Sequence, residues 1–283
     1  MSKFFSLFLG VLMIALAFGS AAAEAPEVIL VISFGTSYND TRAVTIAAIE
    51  NTIQEAFPDS EVRRAFTSQI IIDKLADRDN LVIDTVTQAM ERLVADGVKT
   101  LVVQPTHVIN GYEYDDLAAE VYAFADQFDS IKMGAPLLSS TEDYLKIIDI
   151  IKAEYPLEND EALVLMGHGT HHFANAAYAA LDYMFKAGGS PNIFIGTVEG
   201  YPELDIVLPA VQALNPTTVY LAPLMVVAGD HANNDLAGDE ADSWKTIFKA
   251  AGLRTEPVLR GMGEFKGVQQ LYIEHIKAVI SEN

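Results

Sequence analysis

Strand-length apolar runs alternate with helix-length segments along most of this chain, and that alternation restricts the fold more than any other feature. "EVILVISF" (27–34), "TLVVQPTH" (100–107), "EALVLMG" (161–167) and "TTVYLAPL" (217–224) are apolar almost without a break. A strand reads this way when both of its faces are covered, as in a parallel sheet with helices on each side. "EVRRAFTS", "IKMGAPL", "NIFIGTVEG" and "RTEPVL" read as further, weaker strands. Between them, helical spacing is predicted over 39–57, 81–95, 113–128, 141–155, 174–187, 233–251 and 263–281. Another helix is predicted to open at Pro202, where proline suits the first turn. Repeated strand–helix–strand units define an α/β fold with parallel sheets flanked by helices.

The pattern restarts near mid-chain. "VISFGTS" matches "VLMGHGTH", and "TLVVQPTHVINGYEYDD" matches "VYLAPLMVVAGDHANND" in the same order. This predicts two related α/β domains, 24–140 and 141–283, with the boundary inside 136–160. The last helix is expected to cross back onto the first domain. At 283 residues the chain is long enough to bury such a core.

The first residues, "MSKFFSLFLGVLMIALAFGSAAAEAPE", combine a lysine, an apolar run and an A-x-A site at Ala21–Ala23. This predicts a cleavable signal peptide over 1–23 and a periplasmic protein. The run falls short of the roughly 20 residues of a spanning helix, so no stable membrane insertion is expected. The chain has no cysteine, which excludes disulfides, thiolate metal sites and a Cys nucleophile. Any metal must bind through imidazole or carboxylate. A net charge of −21 disfavours nucleic acid and anionic membranes and favours divalent cations.

Open α/β sheets bind ligands beyond the carboxyl ends of their strands. In the second half, His168, Glu199 and His231 follow three successive predicted strands. Two imidazoles and a carboxylate on one sheet edge make a candidate site for cobalt, nickel, iron or zinc. Gly167 and Gly169 strip bulk from around His168, so a large flat ligand is expected to approach there. No G-x-G-x-x-G, Walker, H-E-x-x-H or G-x-S-x-G pattern is present. His171 and His172 open the next helix and are weaker candidates. His275 is read as an inert residue on a polar helix face, and Met225 and Trp244 as packing. In the first half, Phe34, Gly35, Thr36 and Ser37 suit the wall of a cleft. His107, with Tyr112 and Glu113 beside it, is either hydrogen-bonded at a domain face or an axial ligand to haem iron.

Taken together, "LVISFGTSYNDTR", "GHGTHH", "GTVEGYP" and "YLAPLMVVAGDHANNDLAGDE" resemble the anaerobic sirohydrochlorin cobaltochelatases, a class II tetrapyrrole chelatase family of cobalamin biosynthesis. The resemblance covers nearly all of the chain after the leader. It implies two Rossmann-like, chelatase-like domains with a cleft between them. It also implies ATP-independent insertion of Co2+ into sirohydrochlorin, with Fe2+ as an alternative metal. The implied metal ligands are His168, Glu199 and His231. His168 would also accept a pyrrole proton, Glu113 would contribute from the other domain, and Phe34–Ser37 and Gly169 would contact substrate. The substrate's carboxylates call for local positive charge, with Arg42, Arg63, Arg64 and Arg78 as candidates by composition. An exported chelatase is unexpected for a biosynthetic role, which keeps open a periplasmic metal- or haem-binding protein without turnover. A zinc metallohydrolase is a third reading. Apolar helix faces predict a homo-oligomer.

Overall fold

The computed structural model describes residues 26–281; the leader expected over 1–23 lies outside the described residues. Among the described residues, eight strands form two four-stranded sheets, both wholly parallel. The first holds β1 (Val28–Ser33), β2 (Glu61–Phe66), β3 (Thr100–Pro105) and β4 (Ser130–Met133) in the order β2-β1-β3-β4. The second holds β5 (Glu161–Gly167), β6 (Ile193–Thr197), β7 (Thr218–Pro223) and β8 (Thr255–Pro257) in the order β6-β5-β7-β8. The two orders are the same, as a duplicated unit requires.

The connections are α1 (Asn39–Val44), α2 (Ile46–Ala56), α3 (Gln69–Asp79), α4 (Val86–Ala95), α5 (Tyr112–Tyr122) and α6 (Thr141–Glu154). They continue with α7 (Ala176–Ala187), α8 (Leu204–Leu214), α9 (Trp244–Ala250) and α10 (Lys266–Ser281). No described helix is long and apolar enough to cross a membrane.

The apolar runs are explained by burial on both faces. In β1, Ile29 and Val31 join one core cluster while Val28, Leu30 and Ile32 join another. In β5, Leu163 and Leu165 face the first of these clusters, and Ala162, Val164 and Met166 face a third. The cluster common to both strands therefore spans the two sheets. Helix α10 packs on α2, α6, β3 and β4. Its Tyr272 is fully buried and donates to the Thr106 carbonyl at 2.8 Å.

Several local expectations need correction. The helix expected over 39–57 breaks at Thr45, whose hydroxyl donates to the Thr41 carbonyl at 2.5 Å. Residues 233–251 are not one helix: a π-helical turn (Ala232–Leu236) and α9 are separated by a polar loop. Pro202 does not open α8, which begins at Leu204 after Glu203. Helix α3 was not anticipated at all.

Candidate metal centre

Each sheet reverses its winding direction at one point. From β1 the chain moves one way to β2 and then crosses to β3; from β5 it moves to β6 and then to β7. A crevice opens at such a switch, beyond the carboxyl ends of the central strands. His168 follows β5 and the loop carrying His231 follows β7, so both belong to the crevice of the second sheet.

The turn holding His168 is packed on both sides. A Cβ on Gly167 would lie 2.4 Å from the Tyr178 ring. Gly169 has φ +84°, and a Cβ there would lie 2.6 Å from the Gly200 backbone nitrogen. The space these glycines leave is therefore filled by protein, not open to a flat ligand as expected. Burial pushes the Tyr178 phenol up to about 12, against the opposing pull of the Gly169 and His168 amides. The His168 carbonyl accepts from the Val198 and Glu199 amides at 3.1 and 2.8 Å. These bonds place the Glu199 carboxylate 4.0 Å from His168 Nδ1.

The tautomers follow from hydrogen bonding. His168 Nδ1 lies 2.8 Å from the Gly169 carbonyl, which can only accept, so Nδ1 carries the proton and Nε2 is free. His231 Nδ1 lies 2.6 Å from Asp235 Oδ2, which leaves its Nε2 free as well. The two rings meet edge to face, with centroids 4.8 Å apart. His168, Glu199 and His231 each offer a ligand atom within 4.8 Å of the others. A tetrahedral ion with bonds of about 2.1 Å would bring those atoms to about 3.4 Å. The set is thus looser than a closed structural site. The three side chains are 48%, 56% and 34% exposed, so an ion held here can be handed on. An open groove of about 1010 Å3 leads away past His172, Asn175, Tyr201, Asp235 and Asp242.

The first half meets this site at two places. Tyr38 donates its hydroxyl to Asp230 at 3.4 Å, and Thr41 donates to the Ala228 carbonyl at 3.5 Å, so the loop after β1 abuts the loop leading to His231. Of the predicted cleft wall, Phe34 is exposed, whereas Gly35, Thr36 and Ser37 are buried and brace the turn. At the second place, His172 Nδ1 accepts the Ala174 amide at 3.2 Å, and its Nε2 lies 3.4 Å from Asp115 on α5. His172 is therefore a buried structural link with no nitrogen free for metal; His171 is exposed.

His107 is not one of the three clustered residues. Its Nε2 is 3.3 Å from Glu113 Oε2, and its Nδ1 is buried without a hydrogen-bond partner. An iron axial bond would require displacing Glu113 or opening the Nδ1 side. His275 is not the inert residue on a polar helix face that the sequence suggests. Buried in α10, it contacts Asp143 Oδ1 and the Ala135 carbonyl, each at 2.9 Å. Arg63 and Arg64, on β2, are taken up by ion pairs with Glu61, Asp96 and Glu50. The sequence reading missed Asp235, although its i,i+4 spacing from His231 was visible in "HANND".

Comparison with known proteins agrees with this architecture. The family model described as Cobalt chelatase (CbiK) matches residues 27–281. A sirohydrochlorin cobaltochelatase of Salmonella typhimurium is 43% identical over 256 residues, covering 90% of this chain and 97% of the relative. The sirohydrochlorin cobaltochelatase CbiKC of Nitratidesulfovibrio vulgaris is 37% identical over 257 residues, covering 89% and 90%. Among solved structures, SirB from Bacillus subtilis with Fe3+ superposes with a TM-score of 0.61 at 13% identity, covering 90% of this chain and 95% of SirB. DR2241 of Deinococcus radiodurans, described as similar to chelatases, gives 0.58 at 14%, covering 92% of this chain and 56% of that protein. These two structures bear on the fold alone, and they share it. With a family match over 27–281 and a 43% identical relative, the chain belongs to the cobalt chelatase family.

Proposed function

We propose that this protein inserts Co2+ into sirohydrochlorin without a nucleotide cofactor, with His168, Glu199 and His231 as the station from which the metal is transferred. The carrying observation is the convergence of those three ligand atoms on an exposed sheet edge in a chain of this family. Both curated relatives above are also named sirohydrochlorin cobaltochelatases.

Metallation exchanges two pyrrole protons for one divalent ion. Co2+ rests on the free Nε2 atoms of the two histidines and on the Glu199 carboxylate. As the macrocycle nitrogens take the metal, His168 Nε2 loses its ligand bond and becomes a base for one proton. Glu113, 49% exposed at the start of α5, accepts the second and passes it to solvent. The N/O donor set also accepts Fe2+, because selectivity among first-row ions comes from geometry and supply. Haem at His107 is a separate proposal, checked by a Soret band in the purified protein that His107→Ala removes. Export rests on the residue pattern of 1–23 and is checked by the mature N-terminus of protein recovered from the periplasm.

The test of function is an absorbance time course with protein, sirohydrochlorin and Co2+ in nucleotide-free buffer, against a protein-free control. Faster appearance of the cobalt-sirohydrochlorin spectrum supports the proposal. Binding of either component without acceleration overturns it in favour of a carrier without turnover.

A further inference from the structure

Two guanidinium groups converge on one turn at the end of β1. Arg42 Nη1 donates to Asn39 Oδ1 at 2.9 Å and to the Thr36 carbonyl at 3.3 Å. Arg78 Nη2 donates to the same Asn39 Oδ1 at 3.0 Å and to the Ser37 carbonyl at 2.7 Å. Their partners differ. Arg78 is neutralised through two contacts with Asp79, at 2.8 and 2.5 Å. Among the described residues, Arg42 has no ion pair, and all its hydrogen bonds leave from Nη1. Its Nε–H and Nη2–H are free, and they form the parallel edge that grips a carboxylate at two points.

This charge is held at a cost. Burial lowers the Arg42 pKa, and the nearby Arg64 and Arg78 charges lower it further against the pull of Asp79. Arg64 is itself bound to Glu50. Arg64 and Arg78 are thus each paired with a carboxylate and Arg42 is not, in a chain whose net charge is −21. The position is also informative. The turn lies at the carboxyl end of β1, and its neighbours Tyr38 and Thr41 touch Asp230 and Ala228 on the loop leading to His231.

We propose that the free edge of Arg42 is a carboxylate anchor that grips one peripheral acid arm of the tetrapyrrole, with Arg78 holding the turn beneath it. This rests on the sirohydrochlorin reading above. Asn39 and Thr36 fix the guanidinium plane in advance, so little side-chain entropy is lost on binding.

The test is a fluorescence titration of metal-free sirohydrochlorin into wild type, Arg42→Gln and Arg42→Lys, with cobalt affinity measured in parallel. Gln keeps an amide donor for the turn and removes the charge; Lys keeps the charge and loses the fork. Arg42→Gln is expected to weaken tetrapyrrole binding roughly 10- to 100-fold with cobalt affinity unchanged, and Lys to recover only part of the loss. Equal affinity of wild type and Arg42→Gln overturns the anchor alone, and full recovery by Lys overturns the fork. Should wild type fail to bind sirohydrochlorin, the functional proposal and the anchor fall together. Independently of variant folding, phenylglyoxal should modify Arg42 in the free protein and be blocked by sirohydrochlorin. Equal modification with and without the tetrapyrrole overturns the proposal.

Discussion

Asp235 offers a sharp test of how the proposed metal centre is built, because one hydrogen bond joins it to His231. Its Oδ2 accepts from His231 Nδ1 at 2.6 Å, which commits the ring proton to Nδ1 and leaves Nε2 for the proposed Co2+. In Asp235→Leu the imidazole has no fixed acceptor, so the ring is free to turn and to carry its proton on Nε2. Removing such an outer carboxylate typically weakens metal binding about 10- to 100-fold. Here the two side chains are 34% and 46% exposed, so water replaces part of the lost acceptor. The lower end follows: about tenfold, or about 1.4 kcal/mol. Asp235→Asn keeps an acceptor oxygen and should fall between Leu and wild type. The pair is exposed and spaced i,i+4, worth about 0.5 kcal/mol or less to folding, so stability of the metal-free protein should barely change. Competition for Co2+ against a chromophoric chelator measures the affinity, and guanidinium unfolding measures the stability. An unchanged affinity in Asp235→Leu refutes the orienting role. A stability loss above about 1 kcal/mol, matching the affinity loss, would show that Asp235 acts through folding.

Further perturbations probe the scaffold. Gly169→Ala should destabilise by about 2–4 kcal/mol, combining left-handed strain with a clash against Gly200, and should weaken Co2+ binding by parting His168 from Glu199. Gly189→Ala, at φ +83° with nothing within 4 Å of its Cβ, should show only the strain, about 1–2 kcal/mol, in the same melts. His275→Ala leaves Asp143 Oδ1 without a partner while Oδ2 keeps the Ser140 amide and hydroxyl, and should cost about 1–3 kcal/mol, with the Asp143→Ala/His275→Ala double variant costing less than the sum of the singles. Tyr155 and Tyr178 are both pushed from 10.0 to about 12 by burial, which favours the protonated phenol in the fold. That stabilisation is complete below pH 10 and is lost as pH rises toward 12, at about 2–3 kcal/mol per group, so unfolding midpoints should drop across that window.

The strands and the site edge were legible because their signals are local. A strand covered on both faces must be apolar throughout, as β1 and β5 are. The first polar residues past it must stand at the carboxyl edge, which is where His168 and Glu199 lie. Helix α3 was not legible because "QIII" opens it with consecutive apolar residues, of which Ile70 is 79% exposed and only Ile72 is buried, joined in the core by Leu75 a turn later. The break at Thr45 was hidden in a segment whose helical spacing continues through it. The roles of His172 and His275 depend on partners far away in sequence, Asp115 and Asp143, so no window around either histidine contains the reason for its burial. The glycines flanking His168 were correctly marked as special. The cause was misread, because Tyr178 and Gly200 reach them only once the second sheet has formed.

The most direct test of the central claim is the initial rate of cobalt-sirohydrochlorin formation by His168→Ala beside wild type, under identical conditions. The account predicts rapid metallation by wild type and near-background rates for the variant, since the same Nε2 both holds the ion and accepts a proton. Wild-type rates in His168→Ala would contradict it and place the transfer of metal elsewhere in the cleft.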